Sequence, residues 1–231
     1  MTLYEAIFTR RQVRQFNNAP LEKQILEDIL RCVSEADQLA GQRASFEIAS
    51  ADTVSGGGSA PHYLLSYCDD SSAAYTNVGY VLQKADLYIQ SIGLGSGWFM
   101  GPKPVNNGEN FCIALAFGNT DVPMRKSPDE FKRLPIEKIS PVNNDVATAV
   151  RLAPSAMNSQ PWKLEFEDGK VIVKDFGRGV MRVVLRNKLN KIDIGIAARH
   201  AALALMQEGK KITSIAPSAT KKEFEVEILF E

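Results

Sequence analysis

Three stretches of this 231-residue chain carry side chains whose types and spacing could do chemistry. The first is Arg-Arg-Gln-Val-Arg-Gln-Phe, residues 10–16. If the backbone continues helically there, Arg10 and Arg14 share one face. Two guanidiniums held together repel unless an anion lies between them, and a phosphate suits the planar arginine fork. A solvated basic turn is the plain alternative. The second stretch, residues 153–162, reads Ala-Pro-Ser-Ala-Met-Asn-Ser-Gln-Pro-Trp. Its prolines remove amide donors and its Ser and Asn side chains compete for backbone hydrogen bonds, so it makes poor helix and poor strand. It reads either as a turn into a strand beginning at Lys163, or as a binding loop rich in short donors and acceptors and closed by a large aromatic. The third, Gly-Leu-Gly-Ser-Gly-Trp-Phe-Met-Gly at 93–101, follows a helix instead of joining a strand to one, so it is not a dinucleotide fingerprint. Its glycines would let backbone approach a flat ligand, with Trp98, Phe99 and Met100 as a wall. Packing of those aromatics into the core is equally open.

No Ser-His-Asp arrangement, phosphate-cradling Walker loop, Cys-x-x-Cys pair or paired-carboxylate motif is evident. An enzyme lacking obvious catalytic side chains is often one whose chemistry belongs to a cofactor. His62 and His200 have no partners at metal-ligand spacing, so no metal site is expected. Cys32, Cys68 and Cys112 are odd in number and far apart, which fits buried thiols in a reducing compartment. Basic and acidic residues number 27 each, a balance that argues against a nucleic-acid partner. No signal peptide is expected from the N-terminus, and no stretch approaches the roughly 20 apolar residues a membrane helix needs. A cytoplasmic protein without a membrane partner is the expectation.

These stretches need elements to hold them. Apolar spacing predicts helices over 3–8 and 21–40, with a polar connection between them. Residues 49–61, with three consecutive glycines, read as a mobile loop. Strands are predicted over 62–68 and 111–118, a helix over 76–94 closing at Gly93, and a helix from Asp145 to Leu152. Residues 163–176 predict a hairpin turning at Asp168-Gly169. A second long apolar helix over 191–209 and a final alternating strand over 223–231 complete the chain.

The two long helices resemble each other. At an offset of 116, Gly79 meets Gly195, Ala85 meets Ala201, Leu87 meets Leu203 and Gly93 meets Gly209. Upstream, Leu39-Ala40 meets Leu152-Ala153 at an offset of 113. Two amphipathic helices alike by chance are the alternative. The preferred account is an internal duplication, with halves of about 1–121 and 122–231 forming one domain. It predicts an α+β fold: a mostly antiparallel sheet flanked by helices, two related halves, and the long helices packed together at the centre.

Residues 3–16 resemble the N-terminal Arg-Arg-Ser-x-Arg-x-Phe motif of the FMN-dependent nitroreductase family, and residues 152–166 resemble its Ala-Pro-Ser-x-x-Asn-Ser-Gln-Pro-Trp loop. Residues 192–205 are similar to its dimer-core helix, and residues 93–101 to its Gly-Leu-Gly segment. The order differs from the family's usual one. The loop there follows the arginine motif closely, whereas here that place is held by Leu-Ala-Gly-Gln-Arg-Ala (39–44). Family members form a flavin site across a homodimer, so the resemblance implies a fused dimer whose N-half keeps the arginines and whose C-half keeps the loop.

The resemblance further implies that Arg10 and Arg133 hold an FMN phosphate, with Arg11 and Gln12 in the same motif and Gln12 standing where the family has serine. Arg14 would lie beside flavin N1 and O2. Pro154, Ser155, Ala156 and Asn158 would reach the flavin from the other half. Trp98 would wall its edge, Met100 and Gly101 would present backbone donors to N5 and O4, and Asp193 would approach the cofactor from the core helix. No side chain is implied as catalytic. The implied activity is ping-pong NAD(P)H-dependent reduction of a small flat acceptor, a nitroaromatic or quinone, through FMN. A non-catalytic flavin sensor or carrier, or a cofactor-free interaction module, are the alternatives. A monomer is expected, because the duplication already supplies the family's interface; a homodimer is the other outcome.

Overall fold

The computed structural model describes residues 1–106, 108–177, 188–219 and 224–231. Among the described residues are five α-helices: α1 (Leu3–Thr9), α2 (Lys23–Ser34), α3 (Ser72–Ser91), α4 (Asp145–Arg151) and α5 (Leu189–Gln207). Two compact units interleave along the chain. The first comprises Met1–Asp37, Ala44–Asp70 and Lys84–Ser127, and the second Gln38–Arg43, Ser71–Gln83 and Pro128–Glu231. No described helix is long and apolar enough to cross a membrane.

In the first unit, strands β1 (Ser45–Ser50), β3 (His62–Tyr67), β6 (Phe111–Gly118) and β4 (Gly95–Phe99) form an antiparallel sheet in that order. The central β3 and β6 are buried along nearly their whole length, which is why β6 is a continuous apolar run and β3 does not alternate. α1 begins at a capping box, in which Thr2 accepts from the Glu5 amide and Glu5 accepts from the Thr2 amide. Val13, Phe16, Tyr63, Leu65 and Ala114 share the core of this unit.

The triple-glycine stretch is exposed and lies in a segment that carries regular structure. It holds a 3-10 turn (Ala51–Thr53) and a short strand β2 (Val54–Ser55) paired with β5 (Lys103–Pro104). A β-carbon on Gly56 would lie 2.6 Å from the Gly101 carbonyl oxygen, and one on Gly57 would lie 2.5 Å from the Tyr63 hydroxyl. These glycines serve close approach, a role that composition alone does not distinguish from flexibility.

In the second unit, β7 (Trp162–Glu167), β8 (Lys170–Asp175), β10 (Phe224–Phe230) and β9 (Ile212–Ala219) form the other four-stranded antiparallel sheet. The β7–β8 turn falls at Asp168-Gly169 as predicted, with Gly169 at φ +65°. Of the predicted final strand, Glu223 lies outside the described residues. α5 is buried on nearly every side, so it reads as a core helix and not an amphipathic one. The helix predicted over 21–40 ends at Ser34, because residues 38–43 are claimed by the second unit: the Ala40 amide donates to the Ile215 carbonyl at 2.9 Å and the Leu39 amide to Asn77 Oδ1 at 2.9 Å.

The two long helices meet at their glycines, within the second unit. A β-carbon on Gly79 would overlap the carbonyl of Ile192, and one on Gly195 would overlap the carbonyl of Thr76. The contact is reciprocal at the offset of 116 read from the sequence.

Candidate functional site

The first unit carries the arginine and Gly-Leu-Gly stretches and the second the Ala-Pro-Ser stretch, held by different devices. In the first unit, the arginine stretch is not a helical continuation of α1. Arg10 terminates the helix with φ −52° and ψ 147°, so Arg10 and Arg14 do not share a helical face. The segment is instead clamped in extended form. The Arg11 amide donates to Gln90 Oε1 at 2.7 Å, and Gln90 Nε2 donates back to the Arg11 carbonyl at 3.0 Å. Gln12 repeats the device against β4: its Nε2 donates to the Trp98 carbonyl at 2.9 Å, and its Oε1 accepts the Trp98 amide at 3.1 Å. Between them the Val13 amide donates to the Ser96 carbonyl at 2.9 Å. One donor and one acceptor function of the Gln12 amide are thereby taken by the strand, so Gln12 fixes Trp98. Replacing Gln12 with Ala is expected to cost about 1–2 kcal/mol, because two backbone groups of Trp98 lose their partner; equilibrium denaturation measures it.

Arg10 is 1% exposed. Its Nε donates to Asp86 Oδ2 at 2.8 Å, and Asp86 Oδ1 accepts from Ser96 Oγ at 2.6 Å and from Gln90 Nε2 at 3.1 Å. Arg125 Nη1 donates to the Arg10 carbonyl. Among the described residues Arg10 Nη2 is buried without a hydrogen-bond partner, as is Trp98 Nε1. Arg14 and Met100 are exposed. Gly101 is pressed against Gly56, whose carbonyl oxygen would lie 2.9 Å from a Gly101 β-carbon.

In the second unit, the Ala-Pro-Ser stretch follows α4 and contains a turn of 3-10 helix at Ala156–Asn158. Met157, Asn158 and Gln160 all have positive φ, at 53°, 55° and 49°. Left-handed backbone costs a non-glycine residue on the order of 1 kcal/mol or more, and persists only where surroundings over-determine it. The surroundings do so. Arg133 Nη1 donates to Asn158 Oδ1 at 2.7 Å and its Nη2 to the Leu152 carbonyl at 3.2 Å, while Asn158 Nδ2 donates to the Lys132 carbonyl at 2.8 Å. The Gln160 amide donates to Ser155 Oγ at 2.9 Å, and Gln160 Oε1 accepts from the Leu134 amide at 2.8 Å. Trp162 is fully buried and anchors the end of the loop in the core.

From α5, both oxygens of Asp193 accept the Ala156 amide, at 3.0 and 3.1 Å. Asp193 is 3% exposed, and burial raises its pKa well above the ordinary carboxyl range, against the Ala156 bond that lowers it. Arg133 and Asp193, both expected near a cofactor, each hydrogen-bond to the loop. Pro154 is buried, Ser155 and Ala156 are partly so, and Asn158 and Met157 are exposed. Sequence reasoning missed Asp86, Gln90 and Ser96. A signal existed for one of them: Asp86 is the single acidic residue of α3.

Two antiparallel sheets with a long helix following the second strand of each define an α+β fold of the nitroreductase type. The family model described as "Putative TM nitroreductase" matches residues 2–205, and the chain belongs to this family. A Thermotoga maritima protein described as a "putative nitroreductase" is similar in structure, at TM-score 0.71 and 18% identity over 99% of this chain and 94% of that one. A Bacteroides thetaiotaomicron protein described as a "Putative NADH dehydrogenase/NAD(P)H nitroreductase" matches at TM-score 0.46 and 21% identity, over 59% of this chain and 95% of that one. A Desulfitobacterium hafniense nitroreductase with bound FMN matches at TM-score 0.43 and 13% identity, over 58% of this chain and 100% of that one. No curated protein matches the chain.

Proposed function

We propose that this chain binds FMN and is an NAD(P)H oxidoreductase reducing nitroaromatics, quinones or similar flat acceptors. The observation that carries the reading is the Arg10 guanidinium. A buried donor left unpaired costs on the order of 1–3 kcal/mol, and Arg10 Nη2 is such a donor in the motif that resembles a phosphate-binding one. A phosphate oxygen is an acceptor of matching charge for it, and the planar fork is already fixed at Nε by Asp86. The strained, cross-braced loop around Asn158 supports the same reading, since strain held in place by its surroundings clusters at ligand sites.

Bound FMN would supply two-electron transfer between a nicotinamide and the acceptor. The chain's own residues would bind and orient. Arg10 would hold the phosphate, and the exposed Arg14 would favour negative charge on the flavin ring. Gln12 would fix Trp98, and Met100 and Gly101 would offer backbone donors. Pro154, Ser155, Ala156 and Asn158 would contact the flavin from a loop set by Arg133 and Asp193. Replacing Arg10 with Ala is expected to lower FMN affinity by about tenfold or more, the size of one charge-assisted hydrogen bond. Flavin absorbance retained after gel filtration reads it directly, and undiminished occupancy would remove the phosphate role. Bleaching of bound flavin by NAD(P)H, with recovery on adding an acceptor, would separate a reductase from a carrier.

We further infer that the chain is an internally duplicated domain with halves near 1–121 and 122–231. Both sheets order their strands first-second-fourth-third, and in both a long helix lies between the second and third strands. Asn77 and Asp193, equivalent at the offset of 116, each accept a backbone amide from the segment after a shorter helix, Leu39 in one case and Ala156 in the other. On this account the chain is a cytoplasmic monomer. A tight homodimer in sedimentation would count against that inference and leave flavin binding untouched.

A further inference from the structure

We propose that Asp86 is a built-in counter-charge for Arg10 that sets how strongly the protein prefers FMN to riboflavin; this rests on the flavin reading above. Asp86 is fully buried and Arg10 is 1% exposed, so neither charge is shared with bulk water. Asp86 spends one oxygen on Arg10 Nε at 2.8 Å and the other on Ser96 Oγ and Gln90 Nε2. Gln90 in turn grips the Arg11 backbone through both ends of its amide, so the carboxylate is tied to the backbone of the arginine segment it neutralises.

The arrangement answers a physical problem. A buried guanidinium without a counter-ion is strongly destabilising, so a phosphate-binding arginine this deep would unsettle the flavin-free protein. Asp86 removes that penalty. It also places a negative charge beside the position offered to a phosphate dianion, which weakens the hold on the phosphate relative to a lone arginine. Riboflavin lacks the phosphate and is indifferent to this charge. Asp86 is therefore a positioning and selectivity residue, acting through Arg10.

The test is Asp86→Asn, which keeps an oxygen acceptor for Arg10 Nε and removes the charge. The dissociation constants of FMN and riboflavin are measured by fluorescence quenching for both proteins, with melting temperatures in saturating concentrations of each. The expected result is a rise of about tenfold or more in the preference for FMN over riboflavin, because the phosphate becomes the only counter-charge of Arg10. FMN is expected to restore the variant's lost melting temperature, and riboflavin is not. A merely structural Asp86 would lose stability equally with either ligand. A preference that stays the same or falls overturns the proposal. Should Asp86→Asn fold too poorly to assay, the double variant Arg10→Met with Asp86→Leu removes both charges while keeping bulk. It is expected to bind both flavins equally, and a retained FMN preference overturns the proposal. If the unmodified protein binds neither flavin, the function proposed above falls and this inference with it.

Discussion

Replacing Gly195 with Ala is expected to destabilise the protein by about 3 kcal/mol or more, the upper end of what an overpacked core costs. A β-carbon there would overlap the Thr76 carbonyl and lie 2.7 Å from the Tyr80 amide nitrogen, both backbone atoms of the facing helix. No side-chain rotation can relieve that overlap, so the helices must separate. Intrinsic propensity works the other way, since alanine is better than glycine in a helix interior by about 1 kcal/mol. The overlap is the larger effect and fixes the sign. Gly79→Ala should behave alike, its β-carbon meeting the Ile192 carbonyl carbon at 2.8 Å. Gly58 has open space around its α-carbon, and Gly58→Ala is the control expected to stay close to neutral. Denaturation midpoints of the three variants make the comparison. An unchanged midpoint for Gly195→Ala would mean that the long helices do not meet at these glycines.

The second large effect is expected at Asp193. Asp193→Ala leaves the Ala156 amide without its acceptor, at a cost of about 1–3 kcal/mol, and frees a loop whose three left-handed residues then relax. Asp193→Asn keeps an acceptor and removes the ionisable group, so it isolates the charge. Burial raises the folded-state pKa of Asp193 well above the unfolded value. The stability this group contributes is therefore fully present below the unfolded pKa and is lost as pH rises through the folded one. Asp175, ion-paired with Lys191 in the same unit, pushes the Asp193 pKa further up, while a hydrogen bond with Ser159 lowers it. The expected result is that wild type loses stability relative to Asp193→Asn as pH increases from acid to neutral, the two converging in acid. Melting curves across that range read it. A stability difference that shrinks with rising pH would contradict the burial of this carboxyl.

Much of the fold was legible because its signals are local. The apolar run of β6 falls at 111–118 as read, and the Asp168-Gly169 turn lies between β7 and β8. The match of Gly79 with Gly195 was legible as a repeat, and the structure shows why both are glycine: a β-carbon at either would overlap backbone of the facing helix. The loop after α4 was legible as a special segment from its prolines and its Ser and Asn residues. What tertiary structure decided was the work each polar side chain does. Gln12 and Trp98 lie 86 residues apart, and Arg10 and Asp86 lie 76 apart. No spacing rule reaches across such separations, so the sequence could not say that Gln12 closes on a strand or that a helix supplies the partner of Arg10. The glycine stretch at 56–58 carried the composition of a flexible loop, and only the structure shows that Gly56 closely approaches Gly101 and Gly57 approaches Tyr63. The sequence by itself determined which residues are able to bind an anion or a flat ligand. The tertiary structure decided which of their donors are already taken, because only the folded chain brings their competitors within hydrogen-bond reach.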